Sequence, residues 1–459
     1  MTLSIENQAK KTLSTQQKIG IVVLLIASVV LLYLNYFWYL VAFVGIAIVA
    51  YNVVSVVKLY LLYRLERSQF RGLQFKDTEI QSLVPSELPM YTILVPLYKE
   101  AEIISNLVES LILMDYPREK LEVLLLLEED DAETLAAIEG LSLPSYFHKV
   151  IVPDTYPKTK PKACNVGLER ARGKYLVIYD AEDRPEKDQL KKAVLAFIHS
   201  EEEKQDFVCF QAKLNFYNPR QNLLTKLFTI EYSFWFELML PSLYVLHAPM
   251  PLGGTSNHFR TEILKSIGGW NPYIVTEDCD LGIRLKRAGY EVGIIDSITL
   301  EEANSRIGNW LRQRSRWIKG YIQTYFLHLR HPLKLLKDLG LFSFIHFHIM
   351  VGAGPILCLI NPIFWGMFWF QLATGSDFID RLFPGVIMYL GTVSLLVWNF
   401  AFIYFNIYAA LVRKDFDLVK VCFLSPISWG LMSLAAIKAF VQLFKKPHYW
   451  EKTQHGLLD

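Results

Sequence analysis

Residues 174–185, KYLVIYDAEDRP, decide how the rest of the chain is read. Tyr175 to Tyr179 form a short, bounded apolar run rich in β-formers, the pattern of a parallel strand buried on both faces. Asp180, Glu182 and Asp183 follow at once, and Pro185 with Glu186 predicts a helix start. In open α/β sheets ligands sit at the carboxyl ends of strands. Carboxylates crowded there are costly unless a cation neutralises them. Oxygen-only ligands suit a hard ion such as Mg2+ or Mn2+, which keeps part of its shell for phosphate oxygens. A solvated acidic turn has the same spelling, so the cluster gains meaning only from its neighbours.

Working outward, residues 91–97 (YTILVPL) read as a strand, followed by Tyr98, Lys99 and Glu100 and a helical pattern over 103–114. Residues 121–127 form a second apolar strand that ends in Glu128, Glu129, Asp130 and Asp131. A strand at 149–152, a basic loop with Lys158, Lys160 and Lys162, and a helix over 163–172 lead into the central strand. A helix at 189–198 and strands at 207–214 and 291–296 follow it. Strands alternating with helices argue for βαβ units and a parallel sheet, hence an α/β fold.

Four further segments stand out. Residues 252–260, LGGTSNHFR, place Gly254, Thr255 and Ser256 in a loop suited to close approach of backbone to a ligand. Thr276 reads as the N-cap of a helix whose first turn holds Glu277 and Asp278, where carboxylates suit the helix dipole. Residues 308–329 are amphipathic, with Trp310, Trp317, Tyr321 and Tyr325 at helical spacing among arginines. This pattern fits a basic helix on a membrane surface, with Gln313, Arg314, Arg316 and Trp317 turned toward a site. The aromatic stretch 221–247 fits core or membrane-surface packing.

The chain has 459 residues, 52% of them hydrophobic and 14% aromatic, and the apolar excess is confined to 20–63 and 341–444. A net charge of +2 implies no strong pull on nucleic acid. Five scattered cysteines without disulfide or metal spacing fit a reducing compartment. The runs 19–34 and 37–63 are each long enough to cross a bilayer core. Lys10, Lys11 and Lys18 precede this pair and Arg64, Arg67 and Arg71 follow it, which puts both of its ends, and the middle of the chain, in the cytosol. With 341–373, 382–411 and 421–444 the count is five or six crossings of an inner or plasma membrane. Arg413, Lys414 and Lys420 before the last segment and Lys445 and Lys446 after it all favour the cytosol, which requires a re-entrant segment or a tight hairpin. The expected organisation is an N-terminal pair of spans (1–71), a cytosolic catalytic domain (72–305), an interface helix (306–335), a membrane bundle (336–446) and a cytosolic tail (447–459). The tail carries Tyr449, Trp450, Glu451, Lys452, Thr453 and His455, and a cytosolic position lets it fold over the mouth of the site.

Taken together, the set resembles the processive branch of inverting family 2 glycosyltransferases, the group of cellulose, hyaluronan, chitin, curdlan and mannan synthases. The motif resemblance covers about residues 88–325. VPLYKE (95–100) resembles the family's first strand, KPKACN (160–165) its K-x-x-A-x-N segment, and Asp180-Ala181-Glu182-Asp183 its D-x-D. Thr276-Glu277-Asp278 and Gln313-Arg314-Ser315-Arg316-Trp317 resemble its T-E-D and Q-x-x-R-W. The resemblance implies a GT-A-like nucleotide-sugar domain between transmembrane helices. It further implies donor contacts from Glu100, Lys160, Asn165, Asp180, Gln313, Arg314 and Arg316. Acceptor contacts would come from Trp317, Gly254, Thr255 and Ser256, catalysis from Asp278 as general base with Glu277 and Thr276 beside it. The sequence departs from the pattern twice. A metal, Mg2+ or Mn2+, falls to Asp180 with Glu182 or Asp183, and register favours Glu182. The base-reading acid is Glu129 or Asp130. The implied donor is a nucleotide-diphospho-sugar, with a UDP-sugar favoured over GDP-mannose, and the implied acceptor is a growing β-linked polysaccharide. A glycolipid-forming transferase and a non-catalytic membrane scaffold are the alternatives.

Overall fold

The computed structural model describes residues 10–453 and 456. Its centre is an eight-stranded sheet of order β3-β2-β1-β4-β7-β6-β8-β5. In chain order the strands are Tyr91–Leu97 (β1), Leu121–Glu128 (β2), Phe147–Val152 (β3), Tyr175–Ile178 (β4), Arg184–Pro185 (β5), Phe207–Phe216 (β6), Asn257–Arg260 (β7) and Glu291–Glu301 (β8). β3, β2, β1 and β4 are parallel, with Tyr91 opposite both Leu121 and Tyr175. β7 then runs antiparallel between β4 and β6, β6 pairs parallel with β8, and β5 closes the edge antiparallel to β8.

The apolar runs of β1, β2 and β4 have no polar face because both faces are covered. Ile93, Val95, Val123, Leu125 and Val177 pack with Leu107, Leu111, Val194 and Phe197 on one side. Leu94, Leu124, Leu126, Leu176 and Ile178 pack on the other side with Leu168, Trp270 and the aromatic segment around Phe228 and Phe236.

The sheet is mixed rather than parallel, because half of the LGGTSNHFR loop is strand β7. The helix expected at Pro185 begins at Gln189, since Arg184 and Pro185 pair with Leu300 and Thr299. β8 continues five residues past Asp296, to Glu301.

Among the described residues, five helices are long and apolar enough to cross a membrane: Thr15–Leu34, Tyr36–Ser68, Pro332–Thr374, Val386–Val412 and Val421–Lys445. Several contacts fix their ends against the α/β domain, the helix Ile307–His328 and the tail. Gln17 Nε2 donates to the Phe326 carbonyl at 2.7 Å, and a His448 ring nitrogen lies 3.0 Å from the Lys10 carbonyl. Arg413 donates to Glu237 at 2.9 Å, and Arg220 pairs with Asp417 at 2.7 Å. The helix Ser425–Lys445 lies lengthwise along the helix Ile307–His328, with Ala435, Ala436, Ala439 and Leu443 against Ile318 and Ile322. Both ends of Ser425–Lys445 lie near the α/β domain: Cys422, just before it, packs with Ile230, and a ring nitrogen of His448, just after it, lies 3.0 Å from the Tyr273 carbonyl.

Ile307–His328 reaches the site because Gly320 allows it. A Cβ there would lie 2.2 Å from Thr276 Oγ1 and 2.5 Å from its Cγ2. Overpacking of this kind costs about 1–3 kcal/mol. Gly320→Ala is therefore expected to lower the thermal unfolding midpoint and the transferase rate together. Gly308→Ala, which meets open space, should be neutral or stabilising. Equal midpoints for the two variants would show that the contact does not constrain the helix.

Candidate active site

The carboxyl ends of β1, β2 and β4 open onto a cavity of about 1490 Å³. Its α/β-domain wall is built from Glu100, Glu128, Lys160, Asp180, Glu182, Gly254, Thr255, Thr276, Glu277, Asp278, Gln313, Arg314, Arg316 and Trp317. The cavity continues between the apolar helices, past Ile349, Leu357, Trp365 and Trp398.

Lys160 organises the near wall. Its ammonium pairs with Asp180 and donates to the Gly254 carbonyl at 2.7 Å. Burial opposes its charge, but Asp180 and Glu277 outweigh burial and hold it well above the ordinary lysine range. Negative charge is still in excess. Burial, then Asp180, pushes Glu182 up to about 8. Burial, then Asp183, Glu182 and Asp180, raises Glu301 as well. Carboxylates that close retain protons unless a cation replaces them. Among the described residues no group of three His, Cys, Asp or Glu side chains stands ready to enclose a metal. A metal held by Asp180 and Glu182 must therefore complete its shell with oxygens from elsewhere, which suits a phosphate-bound Mg2+ or Mn2+.

The Thr-Glu-Asp turn starts the helix Glu277–Arg287. Burial raises both carboxyls, Asp278 to about 6 and Glu277 further, with Asp278 adding to the effect on Glu277. Asp278 Oδ1 accepts from the Cys279 N–H at 2.7 Å, and a Cβ on Gly254 would stand 3.5 Å from Oδ2. The missing side chain leaves that oxygen accessible. Gln211 fixes the glycine loop, accepting from the Gly253 N–H at 2.7 Å and donating to the Thr255 carbonyl at 2.9 Å.

Several expected site residues have other work. Asp183 is buried, accepts from the Asp180 N–H at 2.8 Å and from the Thr255 hydroxyl, and does not line the cavity. Glu182 is the acid that joins Asp180 there. Glu129 accepts from the Asp154 N–H and Asp130 pairs with Lys158, both on the exposed surface; Glu128, one step earlier and buried, lines the cavity instead. Asn165 clasps both the N–H and the carbonyl of Trp270, at 2.9 and 2.7 Å, and lies outside the cavity wall. Arg314 makes a bidentate pair with Glu231 at 2.7 and 2.8 Å inside a cage of Phe228, Trp310 and Trp317. That leaves Arg316 as the arginine facing the carboxylates. Ser256 is fully buried and donates to Thr299 at 2.7 Å, away from the cavity. Thr276 occupies the N-cap position, but its hydroxyl makes no capping bond.

Sequence reading missed Glu301 because β8 was expected to end at Asp296. The carboxylate burst Glu301-Glu302 after an apolar run is the same signal that marked Asp180.

The tail crosses the mouth of the site, with Tyr449, Trp450, Lys452 and Thr453 in the cavity wall. The Arg316 guanidinium lies 4.4 Å from the centre of the Trp450 ring. Lys452 pairs with Glu100 at 2.7 Å and donates to the Lys99 carbonyl at 2.6 Å. His455 lies outside the described residues.

Comparisons with known proteins agree with this geometry. The chain is 25% identical over 392 residues to "Probable glycosyltransferase YdaM" of Bacillus subtilis, covering 80% of this chain and 87% of that one. It is 26% identical over 263 residues to "Probable glucomannan 4-beta-mannosyltransferase 7" of Oryza sativa, 56% of this chain and 44% of that one. It is 25% identical over 319 residues to "Beta-monoglucosyldiacylglycerol synthase" of Synechocystis, 67% of this chain and 64% of that one. The fold matches the solved structure of mannosyltransferase PcManGT from Pyrobaculum calidifontis in complex with GDP-Man and Mn2+, with a TM-score of 0.58 at 20% identity, over 89% of this chain and 99% of that one. The α/β sheet is thus GT-A-like. The model of "Glycosyl transferase family group 2" matches residues 175–412, more than half of the chain, and the protein belongs to that glycosyltransferase family.

Proposed function

We propose that the protein is a membrane-embedded inverting hexosyltransferase that moves a sugar from a nucleotide diphosphate to a hydroxyl of an acceptor held within the membrane. The observation that carries this reading is the single cavity that joins Asp180 and Asp278 to the apolar helices. Mannosyl- and glucosyltransferases among the relatives support a hexose. The solved GDP-Man and Mn2+ complex of the same fold supports a nucleotide-sugar donor and a divalent metal.

In this reading Asp278 takes the proton of the acceptor hydroxyl as it attacks the anomeric carbon. A single displacement inverts that centre, so an α-linked donor yields a β-linked product. Lys160 and Arg316 face the departing diphosphate, where fixed cations stabilise developing charge. A metal on Asp180 and Glu182 would neutralise that leaving group. Trp317, lining the cavity beside Tyr232, offers a ring face for the acceptor.

The walls beyond the catalytic turn are mostly aliphatic and aromatic, including Val54, Ile349, Met350, Leu357 and Phe402, which favours a lipid acceptor. A growing β-glycan is the second reading. Trp365, Trp398, Asn361 and Asn399 supply rings and amides along the cavity, while Trp369 lies outside it.

The test is nucleotide release and product analysis with UDP-glucose, UDP-N-acetylglucosamine, UDP-galactose and GDP-mannose, in Mg2+ or Mn2+. A general base contributes roughly 10²–10⁴-fold, so Asp278→Asn should lose about that factor in kcat. Because the base must be ionised and burial lifts Asp278 to about 6, kcat/KM should fall as pH drops below about 6. A flat acid limb, or an active Asp278→Asn enzyme, would remove Asp278 from the role. Short lipid-linked product supports the first reading, and long polymer the second.

The same reading includes four crossings, with Ser425–Lys445 lying in the interface. A membrane-impermeant thiol reagent should then label single cysteines at Gly375 from one side and at Lys414 and Lys446 from the other. Labelling of Lys414 and Lys446 positions from opposite sides would make the last helix a span.

A further inference from the structure

The part of the cavity that lies between the apolar helices holds a cation that the transfer chemistry does not use. Lys58 lies ten residues before the end of the helix Tyr36–Ser68, in the apolar run 37–63 that is otherwise broken only by Asn52. Its side chain lines the cavity between the apolar helices, and its ammonium stands 5.5 Å from the centre of the Phe402 ring. Among the described residues no carboxylate pairs with it. The two acids that line the membrane part of the cavity are engaged elsewhere: Glu231 by Arg314, and Asp380 by the Gln371 amide at 2.7 Å. An ammonium withdrawn from water without a counter-ion costs several kcal/mol. Ionisable side chains inside membranes persist where they serve a ligand.

The walls around Lys58 limit that ligand. Val54, Leu357 and Phe402 suit hydrocarbon, and Ser55, Asn361 and Asn406 add neutral polar groups at intervals. Along the same cavity lies Asp278, where the proposed acceptor hydroxyl must sit. A neutral glycan or a neutral diglyceride leaves Lys58 without a partner. A lipid with a negatively charged headgroup satisfies the ammonium, the apolar walls and the path to Asp278 at once.

We propose that Lys58 marks a headgroup subsite for an anionic, phosphate-bearing lipid, with the chains along the apolar helices and a headgroup hydroxyl directed to Asp278. The assignment deepens the transferase reading above and rests on it for the acceptor role. Lys58 is here a binding residue and takes no part in bond breaking.

Two measurements on the full-length protein in neutral detergent micelles test it. The first needs no turnover. Fluorescent phosphatidylglycerol is titrated into the Asp278→Asn protein and into Asp278→Asn with Lys58→Met, with fluorescent diacylglycerol and soluble glycerol phosphate as comparisons. Phosphatidylglycerol should bind more tightly than diacylglycerol, and glycerol phosphate should displace it only weakly. Lys58→Met should weaken it about tenfold, equivalent to about 1.4 kcal/mol, leaving diacylglycerol unchanged, and Lys58→Arg should restore it. Glycerol phosphate binding as tightly as the lipid would make the site one for a free phosphate. Equal affinity with and without Lys58 would overturn the proposal.

The second measurement follows sugar transfer by the otherwise wild-type enzyme. KM for phosphatidylglycerol should rise in Lys58→Met, while KM for the sugar nucleotide stays constant. Transfer to diacylglycerol alone, insensitive to Lys58, would also overturn the proposal. Lipid binding that depends on Lys58 without any nucleotide release would instead count against the transferase reading and leave the subsite standing.

Discussion

The constraint on which the site depends is the balance of charge at one end of the sheet. Asp180, Glu182, Glu277, Asp278 and Glu301 converge on the cavity, and burial favours the protonated form of four of them. Lys160 and Arg316 answer only part of that charge. Everything nearby is arranged to keep the imbalance in place. Gln211 clamps the glycine loop, Asn165 holds the Trp270 turn, and Gly320 lets one helix close on the Thr-Glu-Asp turn. Such a pocket favours a ligand that brings positive charge with it.

The strands β1, β2 and β4 were legible because burial on both faces writes a continuous apolar run. The acidic ends of β2 and β4 were legible because carboxylates after such runs have few structural uses. The reading failed where one residue of register decides the outcome. Asp183 and Glu182 are neighbours, but one turns into the sheet and the other into the cavity, and the turn is set by Thr255, seventy-two positions away. Glu128 and Glu129 separate in the same way at the last residue of β2. Arg314 looked like a phosphate ligand because its partner Glu231 lies eighty-three positions away, in a segment read as a plain aromatic stripe. β7 was invisible to local pattern because it has only four residues, and its identity comes from β4 and β6 on either side.

The membrane side follows another logic. Charge on both flanks of the last apolar segment gave a contradiction for any simple span. The structure lays Ser425–Lys445 along Ile307–His328, with Ala435, Ala436 and Ala439 where the two helices approach closely. The small residues serve packing, and the lysines at either end then lie near the same domain.

That helix is also joined to the site mouth. Lys438 and Gln442 both hold Glu451, at 3.0 and 2.9 Å, and the residues next to Glu451 are Trp450, stacked on Arg316, and Lys452, paired with Glu100. Helix and tail are therefore one connected piece, the helix about 30 Å long at 1.5 Å per residue and the tail at the mouth of the cavity. A tilt of Ser425–Lys445 against Ile307–His328 is thereby passed through Glu451 to the two side chains that cross the cavity mouth.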